Sequence, residues 1–134
     1  MLIRPIGLAF LLAASPVAAA QSPGLTVKTG ETWVFGLSNG QPAKARRANA
    51  DAKPGAGQIV VTVRSMMGTT MTITGNNPVA YTYKAELIGG EKAVSTRSCT
   101  LPAKARMSFE NWPQKAKAVR LSDFKPATRD GACP

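Results

Sequence analysis

Strict alternation of apolar and polar positions dominates the middle of the chain. In residues 79–87 (VAYTYKAEL) every odd position is apolar, and the even positions hold Ala, Thr, Lys and Glu. Residues 58–64 (QIVVTVR) and 69–74 (TTMTIT) alternate in the same way. Neighbouring side chains of a strand point to opposite faces, so a period of two predicts antiparallel strands with one face in a core and one in water.

Shorter apolar runs predict further strands on either side of this region. Residues 25–27 and 32–37 are separated by Gly30, and turn residues punctuate the rest of the chain. At strand spacings of about 8–12 residues, this pattern predicts an all-β fold of about seven to eight short strands. The remaining predicted strands are residues 91–99, 107–112 and 118–124.

The turn Asn76-Asn77-Pro78 lies between two alternating strands and is similar to turns of immunoglobulin-like exported modules. The resemblance covers residues 58–99 and implies a single immunoglobulin-like antiparallel β-sandwich. The cysteine pair with an intervening tryptophan that marks antibody domains is absent from this sequence.

Residues 38–57 (SNGQPAKARRANADAKPGAG) interrupt the strand pattern. The segment holds no large apolar residue, two prolines, three glycines, and four cations against Asp51. This composition predicts one long basic loop, or a short surface helix between Pro42 and Pro54. An alternative interpretation makes it the inserted loop of a protease inhibitor. Its cations are Lys44, Arg46, Arg47 and Lys53.

The first twenty residues have the composition of a secretory signal peptide. Arg4 precedes an apolar stretch, and Ala18-Ala19-Ala20 offers small residues for cleavage after Ala20. Residues 1–20 are therefore predicted to be removed. Residues 21–134 would form a single domain in a bacterial periplasm or outside the cell, without a transmembrane anchor.

Export changes how the two cysteines are interpreted. Cys99 and Cys133 are the cysteines of the chain, and an oxidising compartment favours a disulfide between them. A redox dithiol usually has C-x-x-C spacing, and a zinc site needs about four Cys or His ligands. The chain has neither arrangement and contains no histidine.

The positive charge balance has two interpretations, solubility alone or attraction to an anionic partner. The chain holds 17 Lys and Arg against 7 Asp and Glu, and loss of Arg4 with the signal leaves a net charge of +9. Outside the cytosol, lipopolysaccharide, anionic lipid headgroups and acidic glycans would attract such a protein, whereas nucleic acid is not expected there. A net charge of this size also keeps a protein soluble when it has no anionic partner. The candidate binding residues are Lys44, Arg46, Arg47 and Lys53, followed by Lys115 and Lys117 near Phe109 and Trp112.

The catalytic inventory is poor. Absence of histidine excludes Ser-His-Asp and Cys-His arrangements and histidine metal sites. Ser122 and Lys125 match the S-x-x-K pattern of serine acyltransferases, but residues i and i+3 of a regular strand point to opposite faces. We therefore predict a protein that is not an enzyme and holds no cofactor.

Two functional hypotheses remain. The first is a small exported module that binds or packs on an anionic envelope component or a protein partner. The alternative is a copper-binding protein in which Met66, Met67 and Met71 supply soft thioether ligands. Methionine is more often a filler of apolar cores, so the first hypothesis is favoured.

Overall fold

All regular elements in the described part of the protein are β-strands. A computed structural model describes residues 23–90 and 94–127, without the side chains of residues 94–100. Its strands form two antiparallel sheets, ordered β1-β9-β6-β7 and β3-β2-β4-β5-β8. The all-β prediction is confirmed. The strands are β1 (Leu25–Lys28), β2 (Thr32–Ser38), β3 (Gln41–Ala48), β4 (Ile59–Ser65), β5 (Thr69–Gly75), β6 (Tyr81–Ile88), β7 (Val94–Leu101), β8 (Met107–Trp112) and β9 (Ala118–Pro126).

Apolar side chains from both sheets fill the space between them. The predicted alternation of β6 is confirmed, because Tyr83, Ala85 and Leu87 are all buried. Phe124 of β9 stacks on Tyr83 with 5.2 Å between ring centroids, and it meets Phe35 of β2 edge-on at 5.8 Å. Aromatic pairs in these geometries add to the stabilisation from burial. Phe124 therefore joins the two sheets.

The two packed sheets support the predicted sandwich, whereas the immunoglobulin-like strand order is not confirmed. In immunoglobulin domains the first two strands of the chain are neighbours in one sheet. Here β1 pairs with β9, and β2 lies in the other sheet between β3 and β4.

The prediction of a loop or helix over residues 38–57 is wrong, because β3 occupies most of its first half. Ser38 lies opposite Gln41, and the two residues between them, Asn39 and Gly40, have φ values of 52° and 77°. Positive φ at both central residues defines the two-residue hairpin turn that Asn-Gly sequences favour. β3 pairs with β2 although all of its side chains are half-buried or exposed.

Residues 49–58 cross β2 on their way from β3 to β4, since β3 and β4 flank that strand. The core occupies the inner face. Val34 and Val60 point to the outer face, yet they are only 1% and 7% exposed. The crossover lies on this outer face, because its Gly57 O is 3.8 Å from where a Cβ on Gly36 would stand, and Gly36 shares that face with Val34. The crossover is held to Asn76 by three hydrogen bonds: from Gly57 N to Asn76 O (2.8 Å), from Asn76 N to Gln58 O (2.8 Å) and from Asn76 Nδ2 to Pro54 O (3.2 Å).

The β2–β3 turn is tied to a bulge in β9. Asp123 has a φ of 56°, and the β6–β9 register shifts beside it. Gln41 Nε2 donates to Asp123 Oδ1 (2.7 Å), and Asp123 N donates to Gln41 Oε1 (3.2 Å). Phe124 N donates to Gly40 O at 2.7 Å. These bonds connect the two sheets at one end of the sandwich.

The signal peptide and the disulfide stay predictions. Residues 1–20 and Cys133 lie outside the described residues, and Cys99 is described only through the backbone of β7.

Candidate anion-binding edge

The four cations of residues 38–57 lie on two elements, the edge strand β3 and the crossover that follows it. Lys44, Arg46 and Arg47 belong to β3, the terminal strand, and Lys53 follows in the crossover. All four are exposed. Lys44 has a φ of 54° and belongs to a bulge. Between the pairs Val34–Arg46 and Gly36–Ala43, two residues of β3, Lys44 and Ala45, lie opposite the single residue Phe35 of β2. We call Lys44, Arg46 and Lys53 the cationic edge.

Arg47 differs from the other three because the fold already uses its charge. Its Nη1 atom lies 2.9 Å from Glu31 Oε2, and its guanidinium lies 6.0 Å from the centre of the Trp33 ring. Glu31 Oε1 also accepts hydrogen bonds from Trp33 Nε1 (2.9 Å) and from Lys28 N (3.1 Å). Arg47 therefore fastens β3 to β2 and to the β1–β2 turn.

This arrangement lowers the pKa of Glu31. The indole hydrogen bond from Trp33 is the largest cause. Burial opposes it, and the Lys28 amide and the Arg47 charge assist. A carboxyl whose pKa is lower in the folded state stabilises the fold above its unfolded pKa. That contribution is lost as the pH falls through the lowered folded value.

We expect Glu31→Gln to lower the free energy of unfolding at pH 7 by no more than about 1 kcal/mol, because Glu31 and Arg47 are partly solvated. The difference from wild type should shrink below about pH 4, where the unfolded carboxyl is protonated. Urea unfolding at several pH values measures it, and Asp51→Asn removes an exposed carboxylate as the control. A difference that does not change with pH would contradict this assignment.

Lys115 and Lys117 lie elsewhere, in the connection between β8 and β9. Both are exposed. Lys117 O accepts from Thr29 N (3.0 Å), and Lys117 N donates to Ile88 O (2.8 Å), so the end of this connection is held between the C-terminal ends of β1 and β6, the two strands that flank β9. The two neighbouring aromatic residues differ in burial: Trp112 is buried, and Phe109 is exposed.

The three methionines of the copper hypothesis have different environments. Met71 lies opposite Val63 on the inner face of its sheet and is fully buried. Met66 and Met67 are exposed in the β4–β5 turn. The structure therefore favours a packing role for Met71, and it does not present the three sulfur atoms on one surface.

Ser122 and Lys125 lie on the same sheet face, contrary to the expectation from strand geometry. Ser122 lies opposite Lys84, and Lys125 lies opposite Thr82, because the bulge at Asp123 adds one residue between them. Ser122 is only 4% exposed, whereas Lys125 is exposed. Serine activation by lysine needs a lysine withdrawn from water. An exposed lysine on an open sheet face does not meet that requirement.

Comparison with known proteins gives no relative from which a role could be inferred. No protein-family model matches the chain, and no match was found among curated proteins or solved structures. Function must therefore be argued from the surface itself.

Proposed function

We propose that the protein is a small exported binding module, without catalytic activity, that attaches to an anionic component of the envelope through the cationic edge. The observation that supports this is a group of exposed cations on β3 and the crossover, within ten residues of one another in the chain, that have no ion pair among the described residues. In the described residues the ion pairs are Arg47–Glu31 and Arg120–Glu86, so Lys44, Arg46 and Lys53 keep their charge for a ligand.

The position of these charges suits a surface ligand. Lys44 and Arg46 lie on an edge strand, Lys53 lies on the crossover after it, and all three side chains are exposed. Each Lys or Arg near an anionic membrane surface contributes about 1 kcal/mol, and the attraction decays within a Debye length of about 8–10 Å. Charges and a bulge on an edge strand also discourage pairing with other strands. Binding experiments separate these two roles.

We expect removal of the cationic edge to weaken binding to anionic vesicles by about 100-fold. The edge variant is Lys44→Gln, Arg46→Gln and Lys53→Gln combined. The measurement is sedimentation of the protein with vesicles of phosphatidylcholine and phosphatidylglycerol, over a series of salt concentrations. Phosphatidylcholine alone should bind neither protein.

A matched control separates position from net charge. The face variant loses the same charge from the outer face of the four-stranded sheet and should bind almost as wild type does. Equal weakening by both variants would assign the attraction to net charge. Binding that persists in the edge variant would refute the proposed site. The face variant combines Lys28→Gln, Lys84→Gln and Lys125→Gln, which are exposed positions.

A further inference from the structure

β8 is the edge strand whose sequence and geometry least resist the addition of another strand. Natural edge strands avoid pairing by being short, bulged, or rich in lysine and proline. β1 has only four residues, β3 holds Pro42 and a bulge at Lys44, and β7 carries Arg97 midway in its sequence. β8 contains no proline, lysine or arginine, and its register with β5 is unbroken.

On the outer face of its sheet, β8 carries exposed apolar side chains. Met107 and Phe109 lie opposite Thr74 and Thr72 of β5, and each is 65% exposed. An added strand would pack its own apolar side chains against these two exposed side chains on the sheet edge. Glu110 points to the other face and is half-buried. An inward charge on an edge strand discourages unselective pairing.

The charges at the ends of β8 indicate which occupant fits. Exposed cations precede the strand at Lys104 and Arg106 and follow it at Lys115 and Lys117. A second copy that continues the sheet antiparallel across a two-fold axis, with Phe109 opposite Phe109, would place Lys104 opposite Gln114 and next to Lys115 at both ends. Like charges brought together along a strand pair oppose this pairing. A foreign segment with acidic ends meets the same cations favourably.

We infer that β8 receives an extended segment of a partner protein as an additional antiparallel or parallel strand. Backbone hydrogen bonds to β8 supply affinity, and alternate side chains supply specificity. The segment carries β-branched or apolar residues beside Met107 and Phe109, a hydrogen-bond donor or cation opposite Glu110, and Asp or Glu at both ends. This inference goes beyond the proposed function, because it concerns a different edge and a different class of ligand.

A displayed library of random twelve-residue peptides, selected on the folded protein, tests the inference. The enriched peptides should alternate apolar and polar residues and carry acidic residues at their ends. Phe109→Lys should weaken their binding by at least about tenfold, since it places a charge where an apolar contact forms. Hydrogen exchange should show that the peptide protects the amides of Met107–Trp112.

Ile88→Lys is the control, because Ile88 is an exposed apolar residue on the other sheet. It should leave peptide binding unchanged, and circular dichroism verifies that both variants fold. Failure to enrich alternating acidic-ended peptides would overturn the inference, as would equal affinity for Phe109→Lys and wild type. A dimer that Phe109→Lys dissociates would assign β8 to a second copy instead. Each outcome is independent of vesicle binding at the cationic edge.

Discussion

Phe124→Ala is expected to lower the free energy of unfolding by about 3–5 kcal/mol. Phe124 is buried between the sheets, stacked on Tyr83 and edge-on to Phe35. Its truncation removes apolar contacts with both sheets and leaves a cavity, and the neighbouring strands are too constrained by their pairing to collapse into it. Urea denaturation followed by tryptophan fluorescence measures the change.

Phe109→Ala provides the control, because it removes the same atoms from a side chain that is 65% exposed. Substitutions at exposed sites usually change stability by about 0.5 kcal/mol or less. Similar losses for the two variants would contradict the assignment of Phe124 as the residue that joins the sheets.

Gly68→Ala is expected to cost about 3 kcal/mol, because strain and overlap act together. Gly68 lies in the β4–β5 turn with a φ of 109°. A Cβ atom there would overlap the Trp112 carbonyl oxygen and lie 2.8 Å from the Pro113 carbonyl oxygen. The backbone of the β4–β5 turn and the end of β8 would have to separate. The measurement is again the free energy of unfolding.

Gly57→Ala separates the strain from the overlap. Gly57 also has a positive φ, 73°, but an added Cβ would meet no heavy atom within 4 Å. We therefore expect only the conformational cost of a left-handed residue, about 1 kcal/mol. If both substitutions cost the same, close approach between the β4–β5 turn and β8 is not what requires glycine at position 68.

The strands that build the core were predictable because burial on one face imposes a visible pattern. Every odd position of β6 from Tyr81 to Leu87 is apolar, and those from Tyr83 onward are buried. β3 was not predicted, since its residues form no alternating apolar face. Asn39-Gly40 was the signal that could have identified it, because this pair favours the hairpin turn that the structure contains.

The candidate site was predictable only in part. The cations were visible in the sequence, but their placement on a sheet edge depended on β3. That Arg47 is held by Glu31 and Trp33 follows from the pairing of β2 with β3. The bulge at Asp123 had no sequence signal that strand alternation could use, so the shared face of Ser122 and Lys125 was missed.

The two edges of the five-stranded sheet present different surfaces. β3 presents charge and an irregular backbone, whereas β8 presents a regular backbone with apolar side chains. The first property suits an anionic surface that needs no strand pairing. The second suits an extended peptide segment. Substitutions at either edge should therefore leave the ligand of the other edge bound.

Hydrogen exchange of the protein, free and bound to phosphatidylglycerol-containing vesicles, tests the proposed binding surface most directly. We expect the vesicles to slow exchange in β3 and in residues 49–58, which carry the cationic edge. Protection should disappear at high salt as the attraction is screened. Protection confined to β1, β6 and β9, or spread evenly over the chain, would contradict attachment through that edge.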